Sequence, residues 1–222
     1  MRWSHRGRIV VVVVAMVALG LAAAVAAVNG SHAPVRPAAP SAAPPRPKVI
    51  VVGNSITNFA RARIATALAG AYDAQIHAVN GNTAGDLEPA LAALVGTRPD
   101  AAIIEAGAAD AARHVVQWRT ELDAMVATVR DVPCVELVTV PLAEDTLGQF
   151  LDPQRHPYRI AASWNAALRA IAAGNPHIHL IDWQAEIATH PAVSLDGIHP
   201  ADPAGTQWIA MQYRAALDRD CG

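Results

Sequence analysis

The stretch that decides the fold is Lys48-Val49-Ile50-Val51-Val52-Gly53-Asn54-Ser55. Its first five residues read as a short apolar strand that ends in a Gly-Asn-Ser turn. A helical pattern follows over Asn58–Ala69 and stops at Gly70. The same alternation then repeats. A second strand is expected at Ala74–Val79, then a Gly/Asn loop over Asn80–Gly85 and a helix over Asp86–Val95 with Asp86 as its N-cap. Pro99-Asp100 introduces a strand at Ala101–Glu105, and a long helix is expected over Ala111–Val129. A fourth strand is read at Cys134–Val140, closed by Pro141. A polar loop holding Pro153 and Pro157 leads to a helix at Tyr158–Ala173. A fifth strand at His177–Ile181 and a last helix over about Pro203–Leu217 complete the chain.

Short apolar strands alternating with helices specify a parallel sheet covered on both faces. Right-handed crossovers then give an α/β, flavodoxin-like three-layer sandwich of about five parallel strands. In that topology every strand points its C-terminal end at one edge, where functional loops gather. Gly53-Asn54-Ser55, Asn80–Gly85 and Ala106–Asp110 are rich in glycine and small polar residues and leave strands at that edge. Ser194–Pro200 precedes the last helix and joins them there.

Ahead of this domain, Arg2, Arg6 and Arg8 precede an uncharged apolar run from Ile9 to Val28. Positive residues before a hydrophobic segment keep the N-terminus inside and send the rest outward. Residues 1–28 therefore read as a signal anchor or signal peptide, with Ala24-Val25-Ala26 a cleavage site in the second case. Residues 29–47 form a Pro/Ala-rich linker, an extended spacer that holds the domain, residues 48–222, off a membrane. The expected location is extracytoplasmic, either membrane-anchored by one span or secreted.

The formal net charge is −2, but residues 1–47 hold five arginines and no acid. The domain keeps twelve basic against nineteen acidic residues, a balance of −7. Such a surface is poorly suited to phosphate backbones, so no nucleic acid is expected as partner. Cys134 and Cys221 are the only cysteines. Cys134 opens its strand and Cys221 follows a helix running away from the functional edge. Both should lie at the opposite edge, where a disulfide between them would tie down the C-terminus; the alternative is two buried free thiols.

A serine hydroxyl is a weak nucleophile until a base takes its proton. The base is usually a histidine held in its tautomer by a carboxylate. Ser55 stands in a strand-to-helix turn, His199 lies in a loop at the same edge, and Asp196, three residues earlier, can turn back onto the imidazole. Asp182, after the fifth strand, is a rival carboxylate. Asp110 reads as a helix N-cap. His177 and His179 alternate on a strand, but no third ligand of suitable spacing accompanies them. No metal or cofactor is expected. Trp164, Trp183 and Trp208 are read as core or rim packing.

These residues resemble the blocks of the SGNH or GDSL-type hydrolases. Gly53-Asn54-Ser55 matches the first block, and Gly107-Ala108-Ala109-Asp110 the third. Asp196-Gly197-Ile198-His199-Pro200 matches the last. The resemblance implies a Ser55-His199-Asp196 triad that cleaves esters or transfers acyl groups. It also implies an oxyanion hole from the backbone N–H groups of Ser55 and Gly85. Two departures stand out. Asn54 replaces an aspartate that shapes the turn. Ala109 stands where the family has an asparagine whose amide stabilises the oxyanion, and losing one such donor costs about 10²–10³ in kcat. Asn82, in the neighbouring loop, is a candidate substitute.

The expected substrate is a small acyl ester or acylated glycan, since no insertion is long enough for a large lid. The expected activity is that of a serine esterase. The alternatives are an O-acyltransferase on cell-envelope glycans and, given Ala109, a weakly active or inactive binding module.

Overall fold

The computed structural model describes residues 45–142, 154 and 156–222. The expected N-terminal segment, residues 1–28, and most of the linker, 29–47, lie outside the described residues. Only Pro45-Arg46-Pro47 of that linker is described, exposed and without regular structure. Among the described residues no helix is long and apolar enough to cross a membrane.

Among the described residues five parallel strands form one sheet: β1 (Lys48–Gly53), β2 (Asp73–Ala78), β3 (Ala101–Glu105), β4 (Cys134–Val138) and β5 (Ile178–Ile181). Their order is β2-β1-β3-β4-β5, the doubly wound arrangement expected from the alternating pattern. Every residue of β3 and β4 is buried, as are Val49 to Gly53 of β1. Central strands covered on both faces have no solvent side, which is why they read as unbroken apolar runs. Glu105 and Glu136 are the two exceptions in those runs.

Among the described residues seven α-helices surround the sheet: α1 (Ser55–Leu68), α2 (Ala84–Val95), α3 (Ala108–Ala112), α4 (Trp118–Thr128), α5 (His156–Gly174), α6 (Trp183–Thr189) and α7 (Ala204–Asp220). Helix α1 packs on α7, α2 on α4, and α3 on α5. Ile56, Ala60, Ile64 and Leu68 of α1 recur at helical spacing and are all buried.

Three departures from the sequence reading have local causes. First, α1 begins at Ser55 rather than Asn58, because the Asn54 side chain caps it by accepting from the Ile56 N–H. Second, α2 begins at Ala84 with Thr83, not Asp86, as N-cap. Asp86 is instead the third helical residue of a capping box, its side chain accepting from the Thr83 N–H. Third, the long helix expected over Ala111–Val129 is two helices. His114 adopts φ +58°, its N–H donates to Ala111 O, and the Val115 N–H donates to Asp110 O. That is a Schellman closure with histidine in the left-handed position usually held by glycine, so no glycine marked it in the sequence. Helix α6, which the sequence reading left without an element, is capped by Asp182, which accepts from the Ala185 N–H.

At the edge away from the strand exits, Cys134 and Cys221 form a disulfide with Cα atoms 5.6 Å apart, across 87 residues of chain. It fixes the end of α7 to the start of β4.

Candidate active site

Ser55 opens α1 where β1 ends, so its position is set by a strand buried from Val49 to Gly53. Asn54 is fully buried, and its side chain does the capping an aspartate would do there. The half-buried Ser55 Oγ lies 2.9 Å from His199 Nε2.

His199 and Asp196 belong to one self-supporting loop. Ser194 and Pro200 pair as an isolated antiparallel bridge, and the Leu195 N–H donates to His199 O at 2.7 Å. The loop between them turns through Gly197, at φ +82°. Asp196 Oδ1 accepts the N–H groups of Ile198 at 3.0 Å and His199 at 2.7 Å. Its other oxygen, Oδ2, lies 2.7 Å from His199 Nδ1. Burial pushes the Asp196 carboxyl up, but the bonds from His199 and Ile198 outweigh this and hold it below the usual carboxylate range. It is therefore a charged acceptor, which places the proton of a neutral imidazole on Nδ1 and leaves Nε2 free to take one from Ser55. The Trp183 indole N–H anchors the loop from the core side by donating to Ile198 O. Phe59, one helical turn after Ser55, packs against the His199 ring with centroids 5.2 Å apart.

The rival carboxylate Asp182 is engaged elsewhere. It caps α6, accepts from Thr139 Oγ1 and pairs with Arg169. Asp110 does not cap its own helix. It is fully buried and accepts the Ala84 N–H at the start of α2. Burial raises its carboxyl to about 6, with Glu121 pushing the same way.

The expectation for Gly85 requires correction. Its N–H donates to Glu121 Oε2 at 3.1 Å, so it is not free to meet an oxyanion. A Cβ at Gly85 would lie 2.9 Å from the Glu121 carboxyl carbon, so that side chain would have to shift. The first two N–H groups of α2 thus point at Asp110 and Glu121, as helix N-termini favour. Among the described residues the Ser55 N–H has no partner, and neither does that of Gly81, in the same loop as Gly85. That loop is held beside α1 by the Asn58 side chain, which donates to Asn80 Oδ1 at 2.8 Å. Asn82 makes no hydrogen bond with the Ser55-His199-Asp196 chain among the described residues. Ala109 is buried, and its carbonyl accepts the N–H of Arg113, whose guanidinium reaches Asp86.

The one close group of potential metal ligands among the described residues is Cys134, Glu136 and Cys221. Its two sulfurs are bonded to each other, so it presents no thiolate pair.

A serine at the head of the first helix, leaving the C-terminal edge of a parallel sheet and reaching a carboxylate-oriented histidine, defines an α/β protein equipped for nucleophilic attack. Residues 51–206 match the GDSL-like lipase/acylhydrolase family, and the chain belongs to that family. Solved structures share its fold. The C-terminal catalytic domain of Streptococcus pneumoniae peptidoglycan O-acetyltransferase A is 21% identical, with TM-score 0.62, over 78% of this chain and 93% of that one. A putative acylhydrolase from Bacteroides fragilis is 21% identical, with TM-score 0.64, over 80% and 92%. A lipase/acylhydrolase from Enterococcus faecalis is 19% identical, with TM-score 0.62, over 77% and 95%. No curated protein matches the sequence significantly.

Proposed function

We propose that the chain is an extracytoplasmic serine esterase that removes small acyl groups, with Ser55 as nucleophile, His199 as base and Asp196 as its orienting acid. The observation that carries this reading is the continuous chain from Ser55 Oγ to His199 at 2.9 Å and on to Asp196 at 2.7 Å. Ser55 Oγ attacks the ester carbonyl while His199 Nε2 takes its proton. Negative charge develops on the carbonyl oxygen, and the N–H of Ser55 is free to receive it. Gly85, the second donor expected from the sequence, has its N–H engaged by Glu121. His199 then protonates the leaving alcohol, and water, activated by the same imidazole, releases the acid. Ala109 leaves this hole one side-chain donor short, so turnover is expected to be slow.

The test is a fluorophosphonate probe on the full chain together with hydrolysis of short acyl esters. Labelling at Ser55, and loss of turnover in Ser55→Ala, support the reading. Turnover unchanged in Ser55→Ala removes it, and a folded chain that neither labels nor hydrolyses is a binding module instead.

Transfer to an alcohol is the second reading, favoured by likeness to a peptidoglycan O-acetyltransferase domain. The apolar run at residues 9–28 would keep the site near the cell envelope. Acyl transfer to an added glycan acceptor, measured against hydrolysis, separates the two.

A further inference from the structure

Glu105 ends β3 directly beneath the Ser55 turn and is 2% exposed. Its Oε2 accepts the N–H of Asn54 at 2.9 Å and that of Thr57 at 3.2 Å. Its other oxygen, Oε1, is buried without a partner among the described residues. A buried carboxylate with one bare oxygen is costly, so its presence calls for an account.

The N–H groups around Ser55 supply one. Asn54 and Thr57 donate to Glu105, Ile56 donates to the Asn54 side chain, and Asn58 donates to Asn54 O. Four of the five N–H groups from residue 54 to 58 are thus committed inward, and that of Ser55 is the one left over. Thr57 is also held from α7, its hydroxyl lying 3.0 Å from Tyr213 Oη. Gly53 is required for the close approach, since a Cβ there would lie 3.0 Å from Glu105 Oε2 and nearer still to Thr57.

We propose that Glu105 is a positioning residue for Ser55. Its ionised carboxylate draws the N–H groups of Asn54 and Thr57 inward, so that the serine turn presents the Ser55 N–H and Oγ outward together, and turnover depends on that carboxylate being charged. The proposal rests on the esterase reading above. Hydrogen bonds to a charged acceptor are roughly twice as strong as neutral ones, so protonating Glu105 loosens both ties at once. The titratable groups facing it are Asp110 of α3 and Tyr213 of α7. Helix α1 turns Thr57 toward it, β1 turns Gly53, and β4 pairs with it through Val138. Burial pushes the Glu105 carboxyl up to about 7. The N–H groups of Thr57 and Asn54 pull it back down, and Asp110 adds a further push upward. Its ionisation therefore falls inside the working range of a histidine base.

The experiment is the pH dependence of kcat/KM for the full chain and for Glu105→Gln. Two groups must be deprotonated in the wild type, His199 and Glu105, so log kcat/KM should approach a slope of about 2 on the acid side. Glu105→Gln should show a slope of about 1 and a plateau about 10²-fold lower in kcat, with KM nearly unchanged. A purely structural role would lower activity at all pH values without changing the slope. A single-slope wild type, or a Glu105→Gln profile identical to it, overturns the proposal.

A second measurement does not depend on turnover. With the base removed by His199→Gln, the amide resonances of Asn54 and Thr57 should titrate near pH 7, and should not in the His199→Gln/Glu105→Gln double variant. Flat amide titrations in His199→Gln overturn the Glu105 inference. Absence of probe labelling and turnover in the wild type overturns the esterase reading, and with it the consequence for catalysis, whatever the amides do.

Discussion

Glu105 and Glu136 are buried glutamates on adjacent strands, and their surroundings are opposite. Glu105, at the functional edge, meets two backbone N–H groups, and its carboxyl is raised by burial to about 7. Glu136 is fully buried on β4 beneath the disulfide, where its near neighbour Asp220 is another carboxylate. Burial first, and then Asp220, raises it to about 8. Desolvation is the same in kind at both sites. The N–H donors of Asn54 and Thr57 pull the Glu105 carboxyl back down, and Glu136 has no hydrogen-bond donor of that kind among the described residues. The edge that carries the candidate site is built from loops with several backbone donors individually assigned, and the other edge is held by a covalent link.

That contrast can be broken most decisively at the serine. Ser55→Ala should lower kcat by about 10⁴-fold or more while leaving the thermal midpoint within a few degrees, read by ester hydrolysis and thermal denaturation. Removing the link at the other edge should do the reverse. Cys134→Ala/Cys221→Ala opens a loop spanning 87 residues and should cost about 4 kcal/mol of stability, with activity at 25 °C unchanged. Denaturant unfolding measures it. If activity falls as far as stability, the two edges are not independent.

Ala109→Asn restores a side-chain donor at the functional edge and should raise kcat by about 10²-fold. No increase would mean that another group already fills that place.

Glu136→Gln tests the acid beneath the disulfide. Its folded carboxyl lies above the ordinary unfolded value, so ionisation is harder in the folded state. Stability should therefore fall as pH rises from about 4.5 towards 8 and then level off. The glutamine variant should be more stable than wild type by on the order of 2 kcal/mol at pH 9, with the gain gone near pH 4, read from unfolding midpoints across pH. The smallest effect is expected for Asp182→Asn. The amide can still cap α6, and an exposed ion pair with Arg169 contributes at most about 1 kcal/mol. Activity within about threefold would separate Asp182 from Asp196, whose replacement by Asn should cost about 10⁴-fold.

Much of the site was legible because its parts are local. Asp196 and His199 are three residues apart, so one turn through Gly197 brings carboxylate and ring together whatever the rest of the chain does. Ser55 follows the short apolar run Val49–Val52, so its place at a strand exit follows from the strand itself. The Cys134–Cys221 pairing was readable from strand direction, because topology fixes which edge a residue occupies. The division of the long helix at His114 was hidden, because a histidine stood where a glycine would have signalled the turn.

The sequence by itself determined the doubly wound sheet, the edge where its loops converge, and which serine, histidine and aspartate share that edge. Hydrophobic period and short spacings are enough for these. Only the tertiary structure decided which backbone N–H groups remain free. Gly85 lost its candidacy to Glu121, 36 residues away, and the Ser55 turn is set by Glu105, 51 residues from Asn54. A helix N-terminus always offers unpaired donors, but which acceptor reaches them depends on where distant strands and helices end, and no local pattern carries that information.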